Sequence, residues 1–160
     1  MGLFVSMIFT GLNAADFPSE KSKSFKITDQ SKFQKAPGAV STAVLAKIID
    51  QSPFKLADVD ASEMITFAMH NGRIDNLKLL IERGVTVNGD GEARSPLMDA
   101  VQFGQEEVVH ALVEAGCDIE QRDVENWTAL SLSLEGRLYD DLDRAKRITK
   151  YLWDHGARQL

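Results

Sequence analysis

The 160-residue chain is poor in the residues that build disulfide frameworks and metal sites, with one cysteine and three histidines. The single thiol, Cys117, excludes an intrachain disulfide, so we interpret it as a buried, inert side chain. The histidines His70, His110 and His155 are far apart and occur in no spacing typical of a metal site. The sequence therefore predicts neither a disulfide framework nor a bound metal.

Motifs for catalysis and cofactor binding are also missing. The chain has no glycine-rich phosphate loop, no Gly-x-Ser-x-Gly and no thiol–histidine pairing. The carboxylates Asp140, Asp141 and Asp143 resemble part of a calcium loop, but the required glycine and distal glutamate are absent. We expect a protein without catalytic residues or cofactors. The alternative is an enzyme or metal-binding protein that uses residues 136–142.

No apolar run is long enough to span a bilayer, which takes about 20 residues. The apolar stretch from Leu3 to Leu12 has the length of a signal-peptide core, and Ala14 and Ala15 provide small residues for cleavage. No Lys or Arg precedes this stretch. We expect residues 1–15 to be a signal peptide, the mature protein to be periplasmic or secreted, and no part of it to insert into a membrane. The alternative is a cytoplasmic protein in which residues 1–15 form a helix docked on the domain.

The net charge of −6 is unevenly distributed along the chain. Residues 1–60 carry about +1, with seven basic and six acidic residues, whereas residues 61–160 carry −7, with eleven basic and eighteen acidic residues. An acidic domain repels nucleic acid and attracts a protein with a basic surface. The simpler alternative is that the charge only keeps the domain soluble.

Residues 16–38 are rich in serine and lysine and bury little apolar area, which predicts a flexible polar leader ending near Pro37 and Gly38. The alternative is that this basic segment docks on the acidic domain. Apolar residues with helical spacing follow, and a helix over residues 39–51 would end at Ser52 and Pro53. We expect residues 39–60 to cap the domain, because an open stack of repeats needs a cover at each end.

The main feature of residues 61–160 is an internal repeat. The run Ser95-Pro96-Leu97 recurs 33 residues later as Thr128-Ala129-Leu130, and Gly72 and Gly84 recur 32 residues later as Gly104 and Gly116. A fixed period near 33 is typical of stacked helix pairs, in which glycine allows the positive φ that ends each helix. The expected repeats cover about residues 61–88, 89–121 and 122–160, with Ser62 as the N-cap of the first helix.

The third repeat is longer than the others. Gly116 and Gly156 are 40 residues apart, whereas Gly84 and Gly116 are 32 apart. The additional residues lie around 136–142, either between the two helices or within one of them. The repeat is predicted to close with Ile148, Tyr151, Leu152 and Trp153 before Gly156.

Several landmarks together resemble the ankyrin repeat, with its run Thr-Pro-Leu-His-x-Ala, a later Val-Val-x-x-Leu helix and a closing Gly-Ala-Asp-Val-Asn. Here residues 95–100 are Ser-Pro-Leu-Met-Asp-Ala, residues 108–112 are Val-Val-His-Ala-Leu, and residues 116–120 are Gly-Cys-Asp-Ile-Glu. Residues 84–88 match the closing run of the preceding repeat. The resemblance covers about residues 60–158 and implies an all-α ankyrin-repeat solenoid of antiparallel helix pairs with short hairpin loops, preceded here by the N-terminal capping helix.

Proteins similar to this one bind other proteins through the hairpin tips and the exposed side of the first helices. Met98, Phe103 and Trp127 are apolar where the repeat accepts polar residues, and aromatic residues are enriched among interface hot spots. The alternative for Phe103 and Trp127 is packing against a neighbouring repeat. The resemblance implies these partner-binding residues: Arg94, Met98, Asp99, Gln102, Phe103, Asp123, Glu125, Trp127 and Ser131, with Asn88, Asp90 and Glu92 in the first hairpin.

The function predicted from the sequence is non-catalytic binding of a protein partner through the concave face and the hairpin tips. Two more specific alternatives are a periplasmic inhibitor or immunity-type protein that neutralises an enzyme, and a cytosolic scaffold. All three follow from the resemblance and the acidic charge, since fold alone does not determine function.

Overall fold

The computed structural model describes residues 14–56, 61–88, 94–135 and 141–158, and in these ranges all regular structure is helical. This confirms the predicted all-α class. The chain divides into two compact units, Met1–Val85 and Thr86–Leu160. After a short 3-10 helix at Ala14–Asp16, the helices are α1 Gln30–Ala39, α2 Thr42–Gln51, α3 Ala61–His70, α4 Ile74–Glu82, α5 Pro96–Gln102, α6 Glu106–Glu114, α7 Ala129–Glu135 and α8 Leu142–Asp154.

The first unit consists of two helix pairs, α1 with α2 and α3 with α4. Helix α1 packs against α3, and α2 packs against α4. Its apolar core includes Phe33, Leu45, Ile48, Met64 and Leu77, which have no exposed surface. Neither pair has enough apolar surface to form a core alone, so the pairs stabilise each other by stacking.

Helix α1 corrects the prediction of a flexible leader over residues 16–38. Asp29 caps the helix by accepting a hydrogen bond from the backbone N–H of Lys32 at 3.0 Å. Phe33 and Ala36 are fully buried, and Phe25 in the preceding extended segment is also buried. Apolar residues within this polar stretch were therefore sufficient to order it, because α3 provides a surface on which they pack.

The N-terminal cap is accordingly a pair of helices rather than one. Helix α2 ends at Gln51 with Ser52 as its C-cap, which agrees with the end predicted from Ser52 and Pro53. The buried amide of Asn76, on α4, donates hydrogen bonds to the carbonyl oxygens of Pro37 and Val40, both at 2.8 Å. These bonds satisfy carbonyls at the end of α1 that have no partner within a helix.

Gly38 lies inside α1 at its closest approach to α3. A Cβ atom at this position would lie 2.7 Å from the carbonyl oxygen of Phe67. Gly38→Ala is therefore expected to destabilise the protein by about 1–3 kcal/mol, although alanine normally stabilises a helix interior by about 0.5–1 kcal/mol relative to glycine. Urea denaturation measures the difference, and the pair Gln34→Gly and Gln34→Ala isolates helix propensity on the same helix. A Gly38→Ala variant as stable as the wild type would contradict the close packing of α1 on α3.

The second unit repeats this arrangement, with α5 paired to α6 and α7 to α8, α5 packing on α7 and α6 on α8. The recurring hydroxyl residues that the sequence revealed are both N-caps. The Ser95 hydroxyl accepts from the N–H of Met98 at 3.2 Å, and the Thr128 hydroxyl accepts from the N–H of Ser131 at 3.2 Å. The predicted repeat therefore corresponds to the same capping chemistry at the start of α5 and α7.

A charged contact joins α6 to α8. The guanidinium of Arg147 donates from Nε and Nη2 to the two carboxylate oxygens of Glu106, with distances of 3.0 Å to Oε1 and 3.0 Å to Oε2. Hydrogen bonding to Arg147 holds the pKa of Glu106 below its usual range. Glu106 on α6 thus helps to position the last helix.

The predicted helix ends are confirmed where glycine was invoked, since Gly72, Gly84, Gly104, Gly116 and Gly156 all have positive φ. The prediction that Ser62 is the N-cap of the first repeat is wrong, because α3 begins at Ala61 and Ser62 is its second residue.

Part of the additional length in the third repeat lies within α8, which has 13 residues, whereas α6 has 9. The predicted insertion at residues 136–142 lies mostly outside the described residues.

Candidate protein-binding surface

Arg94 contacts both the end of α5 and the turn that precedes α7. Its guanidinium donates a hydrogen bond to the side-chain oxygen of Gln102, at the end of α5. The Nε of the same guanidinium lies 3.5 Å from Oδ2 of Asp123. Three predicted site residues are therefore brought together, although up to 29 positions separate them in the sequence.

Asp123 organises the turn that precedes α7. Its Oδ1 accepts hydrogen bonds from the backbone N–H groups of Glu125, at 3.0 Å, and Trp127, at 2.9 Å. Asn126 adopts a φ of 67°, which asparagine tolerates better than most residues. The turn thus holds Glu125 exposed and Trp127 half-buried on a fixed backbone.

We call the accessible part of this region the hairpin surface and define it by Arg94, Gln102, Phe103, Glu125 and Trp127. Phe103, the C-cap of α5, is 43% exposed. An exposed aromatic ring that follows Gln102 in the chain, together with Arg94 and the fixed Asp123 turn, has the composition of a protein-binding surface, in which aromatic residues and arginine dominate the energy.

Other predicted site residues have different surroundings. Met98 is fully buried, so the expectation that it contacts a partner is wrong. Asp123 is also buried, and its bonds to the turn give it a structural role. Ser131 and Asp99 are half-buried, and the hydroxyl of Ser131 bonds within its own turn to the backbone of Thr128.

The first predicted hairpin is described only in part. Asn88 is exposed, and its side-chain oxygen accepts a hydrogen bond from the N–H of Asp118 at 2.7 Å. Asp90 and Glu92 lie outside the described residues. No pattern in the sequence pointed to Val124, which is 80% exposed within the Asp123 turn.

The family follows from the match to a family model described as ankyrin repeats (3 copies), which covers residues 39–123. The chain belongs to the ankyrin-repeat family. This confirms the resemblance seen in the sequence, and it assigns the chain to a family whose repeats generally serve as protein–protein interaction modules and are typically non-catalytic.

Two ankyrin-repeat relatives show the extent of the similarity. A curated protein of Treponema pallidum (strain Nichols), called an ankyrin repeat-containing protein, is 33% identical over 104 residues, which make up 64% of this chain and 33% of that protein. The solved ankyrin repeat domain of Bcl-3, described as a unique member of the IkappaB protein family, has a TM-score of 0.59 and 20% identity over 79% of this chain and 53% of its own. The chain thus spans about one third of the curated relative and about half of the Bcl-3 chain.

Two histidines that are distant in the sequence meet around one tyrosine. The rings of His110 and Tyr151 are stacked with centroids 3.9 Å apart, and the centroids of Tyr151 and His155 are 4.0 Å apart. Nδ1 of His155 also lies 2.8 Å from the carbonyl oxygen of Tyr151.

The described residues contain no group of three or more His, Cys, Asp or Glu arranged to hold a metal ion. The described helices likewise include none with the length and apolar character to cross a membrane.

Asp123→Ala is expected to destabilise the second unit by about 1–3 kcal/mol, because two backbone N–H groups lose their acceptor. Asp123→Asn retains an acceptor oxygen and removes the charge, so it should preserve most of the stability. Urea denaturation compares the two variants, and the indole N–H signal of Trp127 in an NMR spectrum reports on the turn. Equal losses in both variants would assign the effect to the ion pair with Arg94 instead.

Cys117 is expected to react slowly. Burial raises the pKa of this thiol to about 11, and the adjacent Asp118 contributes in the same direction. A thiol with an ordinary pKa near 8.5 has a few per cent of reactive thiolate at pH 7, and Cys117 should have roughly three-hundredfold less. The rate of reaction with a disulfide reagent should rise about tenfold per pH unit up to pH 11, with the urea-unfolded chain as the control. A plateau below pH 9 would contradict this environment.

Proposed function

We propose that this ankyrin-repeat chain binds a protein partner through the hairpin surface and has no catalytic function of its own. The observation that carries the proposal is Phe103, a large aromatic ring left 43% exposed on the residue after Gln102, whose side chain accepts a hydrogen bond from the Arg94 guanidinium. Burying such a ring in an interface releases water from apolar surface, which drives association. The fixed turn lowers the entropy lost on binding.

The proposed partner presents a basic surface to this region. Residues 61–160 carry a net charge of −7, and Glu125 is exposed on the hairpin surface itself. The charge of Arg94 is offset by Asp123 at 3.5 Å. Complementary charge would raise the association rate and make binding sensitive to salt.

Affinity purification of the tagged protein from its native cells tests this proposal. The wild type should retain a stoichiometric protein partner, and Phe103→Ala combined with Trp127→Ala should lose it while remaining folded by circular dichroism. Truncating a hot-spot residue costs about 2 kcal/mol or more, which is about thirtyfold in affinity. If the partner is an enzyme, its activity with and without this protein distinguishes an inhibitor from a scaffold. Equal retention by both proteins would rule out the hairpin surface.

We further propose that the chain is exported and cleaved near Ala14 or Ala15. The support is the apolar segment from Leu3 to Leu12, which precedes these small residues. Phe17 follows Ala15 by two residues, and its side chain is buried. A mature chain that begins at Ala15 or Asp16 would therefore still contain this buried residue. The intact mass of the protein from native cells decides the matter, because retention of Met1 or Gly2 would indicate the cytoplasmic alternative.

A further inference from the structure

A second surface of the molecule combines apolar exposure with positive charge. An open groove of about 450 Å³ runs between α7 and α8. Three of the five exposed large apolar residues among the described residues line it, namely Leu134, Leu142 and Trp153, with exposures of 51%, 64% and 51%. Clustered apolar exposure of this kind marks interaction sites.

Among the described residues that line the groove, the charged side chains are both cations. Lys146 and Lys150 lie one turn apart on α8, and both are more than three-quarters exposed. Each pairs with a carboxylate of its own helix, Lys146 with Asp143 at 3.5 Å and Lys150 with Asp154. Exposed pairs of this type contribute little energy, so the ammonium groups are available to an incoming anion. Asp143 and Asp154 are not among the residues that line the groove, so the described lining itself contributes only cations, although the whole chain has a net charge of −6.

A second copy of the chain fits this groove poorly. Twofold symmetry requires the same surface on both copies. If α8 of two copies packed antiparallel over the groove, with Leu142 near Trp153 of the other copy, Lys146 would lie opposite the other copy's Lys150. Like charges placed opposite each other in an interface cost energy. The charge therefore favours an occupant with acidic side chains.

We propose that the α7–α8 groove binds an acidic amphipathic helix of a protein partner. Apolar side chains spaced i, i+3 or i+4, and i+7 on that helix enter the groove and cover Leu134, Leu142 and Trp153, as in other helix-in-groove complexes. Flanking Asp or Glu side chains meet the ammonium groups of Lys146 and Lys150. This site is separate from the hairpin surface and does not depend on it.

Two synthetic peptides test the proposal. One is a helical peptide with leucines at i, i+4 and i+7 flanked by glutamates, and the other has lysine in place of every glutamate. Titration into the isotope-labelled full chain should shift the backbone amide signals of α7 and α8 and the indole N–H signal of Trp153. The acidic peptide should bind at least about tenfold more tightly than the basic one at low salt.

Charge reversal on the protein provides the matched comparison. Lys146→Glu combined with Lys150→Glu should reverse the preference between the peptides. Lys23→Glu combined with Lys78→Glu makes the same change in net charge at exposed positions of the first unit and should leave the preference intact. Circular dichroism verifies that both variants are folded. Phe103→Ala should not affect peptide binding, so the groove proposal and the hairpin-surface proposal can be refuted independently of each other.

Four results would overturn the proposal. They are equal affinity for both peptides, signal shifts outside α7 and α8, no binding of either peptide at millimolar concentration, and self-association through the groove. Sedimentation of the chain alone at increasing concentration detects the last of these. A dimer that dissociates in a Leu142→Asp variant would identify a second copy as the occupant.

Discussion

Phe33→Ala is expected to destabilise the protein by about 3–5 kcal/mol, the usual cost of removing a buried phenylalanine side chain. Phe33 has no exposed surface, and its ring centroid lies 5.5 Å from that of Phe54. The residue belongs to a segment whose composition predicted a flexible leader, so the effect distinguishes an ordered α1 from a disordered one. Urea denaturation followed by circular dichroism gives the free energy of unfolding.

Phe103→Ala provides the matched control, because it removes the same side chain from a position that is 43% exposed. Its cost should be no more than about half of that for Phe33→Ala, since less apolar surface is lost from the interior. If Phe33→Ala unfolds like the wild type, α1 contributes nothing to the fold. The prediction of a flexible leader over residues 16–38 would then be correct.

Leu112→Ala is expected to cost about 2–5 kcal/mol, from lost apolar burial and the cavity that remains. Leu112 is fully buried on α6, which packs against both α5 and α8. Because the residue belongs to the Val-Val-x-x-Leu helix of the ankyrin repeat, the variant tests whether the second unit has a repeat core. The midpoint of urea denaturation should fall accordingly.

Leu142→Ala is the comparison for Leu112→Ala, because Leu142 is 64% exposed at the start of α8. This change should alter stability by only about 0.5 kcal/mol, as is usual for surface substitutions. Similar losses in the two leucine variants would contradict the burial of α6. A loss confined to Leu112→Ala would support the core described here.

The sequence predicted the parts of the fold that depend on local chemistry. The hydroxyl residues Ser95 and Thr128 and the glycines at helix ends act through their own backbone surroundings, so their spacing was enough to locate them. The resemblance to the ankyrin repeat rested on the residues at these positions, and the match to the family model confirmed it. A repeat can be recognised in a sequence because each unit contacts equivalent neighbouring units and therefore needs similar residues at equivalent positions.

Features that depend on contacts distant in the sequence were less predictable. Phe25 and Phe33 are surrounded by polar residues, so only their packing on other helices reveals that they are buried. Met98 replaces a residue of the family pattern and was expected to be exposed, but it packs inside. Arg94 forms an ion pair with Asp123, in the turn before α7. No local sequence pattern predicts this contact, because the two residues are far apart in the chain.

Binding of a protein partner to the hairpin surface is tested by the dissociation constants of the purified partner for a set of variants of this chain. Isothermal titration should show that Phe103→Ala combined with Trp127→Ala weakens binding by about thirtyfold or more. Lys23→Glu combined with Lys78→Glu should give a dissociation constant within about twofold of the wild-type value when both are measured at physiological salt. Unchanged affinity in the folded double-alanine variant would contradict the account.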